Sequence, residues 1–316
     1  MKTLMVNKCL YCYQTLVESE IDFHPRCSRK IFGTVIAPEL PYSEQELEPL
    51  ARTVIENHTA LTGVQPKLSL HISSDKDGPK RFTIVGLWGG YILKPASTIY
   101  PQLPEVEDLT MHLAEIAKIK VVPHALIRMQ SGKLAYITKR IDRTNKGKIH
   151  MEDMCQLTQR LTEDKYRGSY EQIAKAILKY SKAPGLDLVN FYEQVLFCFL
   201  TGNADMHLKN FSLIYQPGLG PVLSPAYDLL NTAIVNPADE EELALSLNGK
   251  KNRIRKSDFT IAFTSAGLDE KQQENIFNKM IKSQKSWLQM IQNSFLTQEF
   301  KELYTIQLSE RIKIIL

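Results

Sequence analysis

A short polar segment, GNADMHLKN at residues 202–210, holds side chains of the types that catalysis uses. It offers a carboxylate, an imidazole, an ammonium group and an amide directly after the most apolar segment of the chain. Asp205 and Asn210 are separated by four residues, the spacing of the catalytic aspartate and metal-binding asparagine in protein kinases. The segment therefore predicts phosphoryl transfer, with Asp205 beside the attacking hydroxyl and Asn210 on a metal ion.

The same segment also has a purely structural interpretation, in which Asn203 and Asp205 cap a helix end and the other polar residues face solvent. Two residues elsewhere favour catalysis because they occur in kinase order. Lys94 lies in the strand-like segment GYILKPA, where a kinase carries the lysine for the α- and β-phosphates. Asp228 lies in SPAYDLLN, where a kinase carries a Mg²⁺-binding aspartate.

The segment TGVQPKLSL, which precedes the first predicted strand, is the candidate phosphate-binding loop. Its nucleotide-binding candidates are Gly63, Val64 and Lys67, with backbone N–H groups around Gly63 facing the phosphates. It is not a GxGxxG loop, and an ordinary β-turn explains the single glycine equally well.

The elements that must position these residues change in type along the chain. KLSLHIS, RFTIVGLW and GYILKPA predict a meandering antiparallel sheet, and HALIRMQ with KLAYITKRI predicts a further hairpin. Between them an acidic helix begins near Pro104. From His150 onward helices dominate, and the helix that includes residues 188–200 is apolar almost all round, so it must be central.

This order predicts an α+β fold of the two-lobed protein-kinase type, with a small β-rich N-lobe, a larger helical C-lobe and a nucleotide cleft between them. We expect residues 1–40 to form a Cys/His-containing N-terminal extension. Residues 41–142 would form the N-lobe with the phosphate loop and the strand lysine. Residues 143–316 would form the helical C-lobe with the catalytic and metal-binding loops.

Three of the five cysteines cluster near the start of the chain, where Cys9, Cys12, His24 and Cys27 form the pattern C-x2-C-x11-H-x2-C. The pattern is compatible with a Cys3His zinc site, which would be structural because protein groups fill all four ligand positions. The alternative is that these cysteines pack as small hydrophobic residues.

The composition excludes several classes of protein. The 316 residues are 43% hydrophobic, which is ample for a sizeable core. The net charge of +4, with acids and bases nearly balanced, requires no extended basic surface for nucleic acid. No segment has the length and purity of a membrane span, and the start lacks a signal-peptide pattern, so we expect a cytoplasmic protein without membrane contact.

Several segments spread over residues 58 to 310 together resemble the HipA family. They are GVQPKLSL, ILKPAS, LPEVEDLTMHLA, YITKRIDR, HMEDMCQL, NADMHLKNFSL and SPAYDLLN. HipA-like proteins are bacterial serine/threonine kinases that act as toxins, and their known targets are aminoacyl-tRNA synthetases. The resemblance implies ATP and Mg²⁺ as cofactors, Asp205 as catalytic base, Asn210 and Asp228 as Mg²⁺ ligands, and Lys94 on the α- and β-phosphates.

The resemblance also implies roles for residues that the spacing alone does not single out. His207 would line the nucleotide pocket. Glu107 would orient Lys94, with Glu105 as the alternative. Three consecutive residues would form the hinge whose backbone faces adenine: Lys139, Arg140 and Ile141.

The resemblance further implies partners and self-regulation. Full-length HipA proteins begin with an additional small subdomain, whereas this sequence resembles the short, HipT-like kinase of a three-part system. The expected partners are an aminoacyl-tRNA synthetase as substrate, a HipB-like DNA-binding antitoxin and a separate protein like the missing subdomain, with no direct binding of nucleic acid. The autophosphorylated serine of the family is replaced by Ala60, which leaves Thr59, Thr62 and Ser69 as candidates.

Two other functions remain open from the sequence. The D-x-H order of Asp205 and His207 resembles phosphoinositide kinases, so a lipid or small-molecule kinase is one alternative, with basic segments at 146–148 and 250–256 as membrane-facing candidates. The second is a non-catalytic kinase-fold module whose cysteine cluster contacts DNA or an antitoxin.

Overall fold

The computed structural model describes residues 7–47, 49, 67–73, 78–85, 88–97, 99–144 and 147–316. Its described residues fall into two compact units. The first unit lies within Met1–Asp108, Val122–Ile141 and Asn293–Phe295. The second comprises Leu109–Val121, Asp142–Gln292 and Leu296–Leu316. No helix in these described ranges is long and apolar enough to cross a bilayer.

The first unit is built on a five-stranded antiparallel sheet with the strand order β2-β1-β3-β5-β4. Its strands are β1 (Leu68–Ser73), β2 (Arg81–Ile84), β3 (Tyr91–Lys94), β4 (His124–Arg128) and β5 (Leu134–Lys139).

The sheet is antiparallel as expected, but the predicted meander is wrong because β1 lies between β2 and β3. Leu68 and Leu70 are fully buried in β1, whereas β2 buries only Phe82 and exposes Arg81 and Thr83. A strand with a single buried side chain is tolerated at the edge of a sheet, where one side of the strand is open.

Helix α1 (Pro25–Phe32) packs on this sheet through aromatic side chains. The ring centroid of Phe82 lies 5.7 Å from that of Phe32 and 5.4 Å from that of Tyr91, both in edge-on geometry. The Tyr91 hydroxyl donates a hydrogen bond to the Ile31 carbonyl oxygen at 3.1 Å. Aromatic pairs in this geometry contribute about 0.5–1.5 kcal/mol each beyond the area they bury. Residues of the N-terminal segment are buried in the same hydrophobic cluster as the strands, so this segment is part of the core of the unit.

Helix α2 (Leu103–Ile116) begins in the first unit and continues into the second, which is mainly helical. The remaining helices are α3 (Met154–Leu157), α4 (Tyr170–Tyr180), α5 (Pro184–Leu200), α6 (Thr232–Val235), α7 (Lys256–Ser265), α8 (Glu270–Asn293) and α9 (Gln298–Ile315), with 3-10 turns at Thr162–Asp164 and Leu208–Asn210. The strands are β6 (Arg143–Thr144), β7 (Gly147–Lys148), β8 (Met151–Asp153), β9 (Ser212–Gln216) and β10 (Gly220–Leu223), of which the last three form a sheet in the order β10-β9-β8.

Helix α5 is the buried helix that the sequence predicted, and proline at its first turn sets its start. Every residue from Phe191 to Leu200 is buried, including the Glu193 carboxylate, which is paired with the Lys279 ammonium at 2.5 Å. The Phe197 ring meets Trp287 edge-on at 5.8 Å. Because the helix is held on all sides, the chain that leaves it at Thr201 starts from a fixed position.

Candidate active site

The segment 202–210 leaves helix α5 through a left-handed turn at Gly202, where φ is +68°. A Cβ at this position would lie 2.8 Å from the Asn231 side-chain oxygen, so glycine is required for conformation and for space. The Thr232 hydroxyl donates to the Gly202 carbonyl at 3.1 Å and accepts from the Ala204 N–H at 2.8 Å. These bonds fix the segment to the start of α6.

The Asp205 carboxylate is exposed, and its own N–H donates to the Asn203 side-chain oxygen at 3.1 Å. One carboxylate oxygen accepts a hydrogen bond from the Tyr166 hydroxyl at 2.6 Å. Burial and then this bond to Asp205 raise the pKa of Tyr166, so the hydroxyl keeps its proton at neutral pH. A hydroxyl thus occupies the position that an acceptor hydroxyl takes beside a general base.

Asn210 is buried and lies at the end of the 3-10 turn Leu208–Asn210. Its amide nitrogen donates to the Asp205 carbonyl oxygen at 3.0 Å and contacts the Met206 sulfur at 3.7 Å. Because the nitrogen is used within the loop, the amide oxygen is the atom that can bind a metal ion.

Asp228 has a φ of +61°, a left-handed conformation that aspartate tolerates better than most residues. The preceding residue, Tyr227, donates its hydroxyl proton to the Lys209 carbonyl at 3.0 Å, and the same oxygen lies 2.6 Å from the Ser212 hydroxyl. The residue before Asp228 is therefore tied to the segment that contains Asp205 and Asn210.

His207 is buried, and its pKa is lowered to about 4, chiefly by burial. The negative charges of Asp205 and Asp228 favour the protonated imidazole and offset this effect only in part. Its ring meets Tyr166 edge-on at 5.0 Å, and its Nδ1 finds no hydrogen-bond partner among the residues described. The imidazole is neutral at physiological pH and can bond to a ligand through that nitrogen.

In the first unit, Lys94 ends strand β3 and is 5% exposed. Its ammonium lies 2.5 Å from the Glu107 carboxylate, which is 1% exposed, and 5.4 Å from the centroid of the Tyr136 ring. Glu107, rather than Glu105, is therefore the acid that orients Lys94, whereas burial raises the pKa of Glu105. A charge pair this deeply buried fixes both side chains.

Sequence reasoning missed a buried polar network around Asp108, the residue after Glu107. One oxygen of its carboxylate accepts a hydrogen bond from the Tyr13 hydroxyl at 2.7 Å, and the other lies 2.6 Å from His124 Nδ1. The Asp108 carboxylate is fully buried. The network holds the first half of helix α2, and with it Glu107, at a fixed position relative to β4 and the N-terminal segment.

The predicted hinge lies at the end of β5. The Lys139 N–H donates to the Pro123 carbonyl and the Arg140 N–H to the Gly90 carbonyl, each at 2.8 Å. Ile141 is the last residue of the first unit before the chain enters the second. Two of the three hinge N–H groups are thus already used within the first unit.

The predicted phosphate loop is described only at its end. Lys67 is exposed and directly precedes β1. Ser69 lies within β1, and its hydroxyl oxygen accepts a hydrogen bond from the Gly89 N–H at 3.0 Å. The other predicted residues of this region lie outside the described residues: Thr59, Ala60, Thr62, Gly63 and Val64.

The N-terminal cysteines and histidine do come together. The side-chain ligand atoms of Cys9, Cys12, His24 and Cys27 all lie within 4.8 Å of one another, and no disulfide joins any cysteine of the described residues. A cluster of this composition can hold a metal ion.

Residues 59–288, more than half of the chain, match the family of HipA-like C-terminal domains. Among curated proteins, the chain is 34% identical over 226 residues to "Putative kinase Y4dM" of Sinorhizobium fredii and 32% identical over 210 residues to a "Putative kinase" of Haemophilus influenzae. These matches cover 67% and 62% of this chain and 54% and 59% of the two relatives. The chain thus spans little more than half the length of those relatives.

Two solved structures share the fold. One is HipA of Shewanella oneidensis, solved with HipB and operator DNA, with a TM-score of 0.68 and 21% identity over 80% of this chain and 64% of that one. The other is the proinflammatory kinase CtkA of Helicobacter pylori, with a TM-score of 0.54 and 16% identity over 78% of this chain and 94% of that one. The predicted α+β, kinase-like fold is confirmed, and the chain belongs to the HipA family of kinases through its C-terminal domain.

Proposed function

We propose that this protein is an ATP-dependent serine/threonine protein kinase that transfers the γ-phosphate of ATP to a protein of the translation machinery. The observation that carries the proposal is the arrangement of Asp205, Asn210 and Asp228, which are linked within one unit by the Tyr227 and Asn210 hydrogen bonds. Membership of the HipA family supports the same reaction.

In this proposal Asp205 is the catalytic base. It accepts the proton of the attacking hydroxyl, and it already accepts a hydrogen bond from the Tyr166 hydroxyl. The Asn210 amide oxygen and the Asp228 carboxylate would hold Mg²⁺, since hard oxygen donors suit this cation. When bound, Mg²⁺ neutralises charge on the phosphates. His207, neutral and with Nδ1 available, would bond to the nucleotide.

Lys94 would contact the α- and β-phosphates, with Glu107 setting its direction. Adenine would meet the hinge through its carbonyl oxygens or through the N–H of Ile141, because the N–H groups of Lys139 and Arg140 already donate to other carbonyls. Gly63, Val64 and Lys67 would cover the phosphates.

We further propose an aminoacyl-tRNA synthetase as the substrate and, as partners, a HipB-like antitoxin and a protein like the N-terminal subdomain of full-length HipA. The Shewanella HipA structure, which contains HipB and operator DNA, supports an antitoxin partner for this chain. For autophosphorylation, Thr59 and Thr62 are better candidates than Ser69, because the Ser69 side chain is bonded within the sheet.

The basic segment 250–256 does not favour a lipid substrate. Lys250 pairs with Asp258 at 2.8 Å, and Lys251 pairs with Glu241 at 3.1 Å. Lysines that are paired with acids of their own protein contribute less to binding an anionic membrane than unpaired ones. A protein acceptor is therefore the better proposal.

The proposal is tested by incubating the purified protein with Mg²⁺, labelled ATP and cell lysate. Wild type should label a discrete protein, whereas Asp205→Asn should reduce labelling by at least about 10²-fold, the contribution of a general base. Glu240→Gln removes a charge from an exposed acid of the same unit and should label like wild type. Equal labelling by Asp205→Asn would contradict the catalytic role of Asp205, and labelling by wild type no stronger than that of lysate alone would favour the non-catalytic module.

A further inference from the structure

Four side chains near the start of the chain form a site that phosphoryl transfer does not use. A tight turn carries Cys9 and Cys12: the Tyr13 N–H donates to the Cys9 carbonyl at 2.9 Å, and the Cys9 N–H donates to the Gln14 carbonyl at 2.8 Å. His24 occupies the residue position directly before helix α1, and Cys27 lies in the first turn of that helix. The turn and the start of helix α1 thus each place two possible metal ligands close together.

Two of the distances between the ligand atoms fit a tetrahedral metal ion, and all four ligand atoms lie within 4.8 Å of one another. His24 Nδ1 lies 3.4 Å from Cys12 Sγ and 3.8 Å from Cys27 Sγ. With Zn–S of about 2.3 Å and Zn–N of about 2.0–2.1 Å, a tetrahedron requires an S···N edge of about 3.6 Å. The two observed distances lie on either side of this value.

The second nitrogen of His24 is placed as in metal-bound histidines. Nε2 lies 3.2 Å from the Thr15 carbonyl oxygen, to which it can only donate. This bond selects the tautomer whose Nδ1 is unprotonated and directs Nδ1 at the cysteine sulfurs.

We propose that Cys9, Cys12, His24 and Cys27 bind one Zn²⁺ ion. Three thiolates and an imidazole in tetrahedral arrangement select zinc over the harder cations that kinases use, and four protein ligands leave no open position for catalysis. The site is therefore structural and is independent of the kinase proposal.

The zinc site also helps to position the buried Lys94–Glu107 pair, an extension that rests on the proposed function. Tyr13 directly follows the ligand Cys12 and has a left-handed φ of +62°. Its buried hydroxyl donates to Asp108, the neighbour of Glu107, which pairs with Lys94. All of these residues belong to the first unit. Zinc fixes the backbone turn that carries Tyr13, and the hydrogen bond from Tyr13 to Asp108 holds the first half of helix α2. Because that part of the helix carries Glu107, loss of the metal should weaken ATP binding.

The metal site is tested by metal analysis of purified protein. Wild type should contain about one zinc per chain, and Cys12→Ser should contain almost none. Cys155→Ser, a buried cysteine outside the cluster, is the matched control and should keep its zinc. If Cys12→Ser fails to fold, Co²⁺ added to metal-free wild type should give the thiolate charge-transfer and visible bands of a tetrahedral site. If metal-free wild type gave no such spectrum after addition of Co²⁺, or if purified wild type contained iron in place of zinc, the assignment would be overturned.

The extension is tested by titrating Tyr13→Phe with ATP and Mg²⁺ in a calorimeter. This variant should keep its zinc, while its ATP dissociation constant rises about tenfold, as expected for loss of a hydrogen bond to a buried carboxylate. Tyr11→Phe, in the same turn, should leave both values unchanged. Zinc retained with unchanged ATP affinity would overturn the extension alone. A wild type that binds zinc but no ATP would contradict the proposed kinase and leave the metal site intact.

Discussion

Replacing Glu107 with glutamine removes the negative member of the buried Lys94–Glu107 pair while preserving its shape. At the observed 2.5 Å separation and an effective dielectric constant of about 20, the attraction between two unit charges is about 7 kcal/mol, part of which offsets the desolvation of both groups. Removing one partner from a buried pair costs about 3–5 kcal/mol. Because glutamine can still accept a hydrogen bond from Lys94, we expect a loss near the lower limit, about 3 kcal/mol.

The loss should appear in the free energy of unfolding measured in urea, with an unchanged m-value as the check that the unfolded reference is the same. Hydrogen exchange at the amides of β3 would assign the loss to the first unit. Glu105→Gln is the matched control and should change stability by about 0.5 kcal/mol or less.

A double-mutant cycle completes this test. Lys94→Met with Glu107→Gln removes both charges, so the double variant should be more stable than the sum of the single effects by about 1–3 kcal/mol. A single-variant cost below about 1 kcal/mol together with additive effects would show that the two groups are not paired in a dry environment.

Three further outcomes are expected. Tyr166→Phe removes the hydrogen bond that occupies one Asp205 carboxylate oxygen, so an incoming hydroxyl has no competitor there. The KM for the protein acceptor should therefore fall about twofold to tenfold in steady-state kinetics, with kcat nearly unchanged. An increased KM would show that Tyr166 assists binding. Burial lowers the pKa of His207 to about 4, so below pH 6.5 the unfolded chain takes up a proton that the folded protein does not, and stability decreases as the pH is lowered. Between pH 7 and pH 5 the free energy of unfolding of wild type should fall by about 2 kcal/mol more than that of His207→Gln, as measured by urea unfolding at the two pH values. Gly202→Ala should reduce the free energy of unfolding by about 1–3 kcal/mol, since φ is +68° and the new Cβ would meet Asn231, whereas Gly185→Ala, at a position with open space, should not.

The sequence predicted the elements with strong periodicity and the site residues whose spacing is local. Lys94 was expected in a strand and lies in β3, and the polar segment was expected directly after the buried helix. The hairpin predicted from HALIRMQ and KLAYITKRI forms β4 and β5. In each case the pattern lies within a few consecutive residues, so local physics decides the outcome.

The partners that reach these residues from elsewhere in the chain could not be predicted. Tyr166 is 39 residues from Asp205, and Tyr13 is 95 residues from Asp108. Neither tyrosine belongs to a motif, and a tyrosine hydroxyl can find its acceptor far away in the sequence. The predicted strand order was wrong for a similar reason. The edge position of β2 depends on how much of each strand the core of the whole unit covers, which the local pattern does not contain.

The left-handed backbone at Asp228 affects how an inactive form of this protein should be made. Alanine at that position would remove a proposed magnesium ligand and would also place an unsuited residue in a conformation that costs most side chains about 1–2 kcal/mol. Asparagine tolerates the same backbone and has nearly the shape of aspartate, but it lacks the negative charge and carries an NH2 group in place of one carboxylate oxygen. For trapping a substrate or an antitoxin, Asp228→Asn is the better variant. Its loss of kinase activity would come from the changed side chain and not from a rearranged loop.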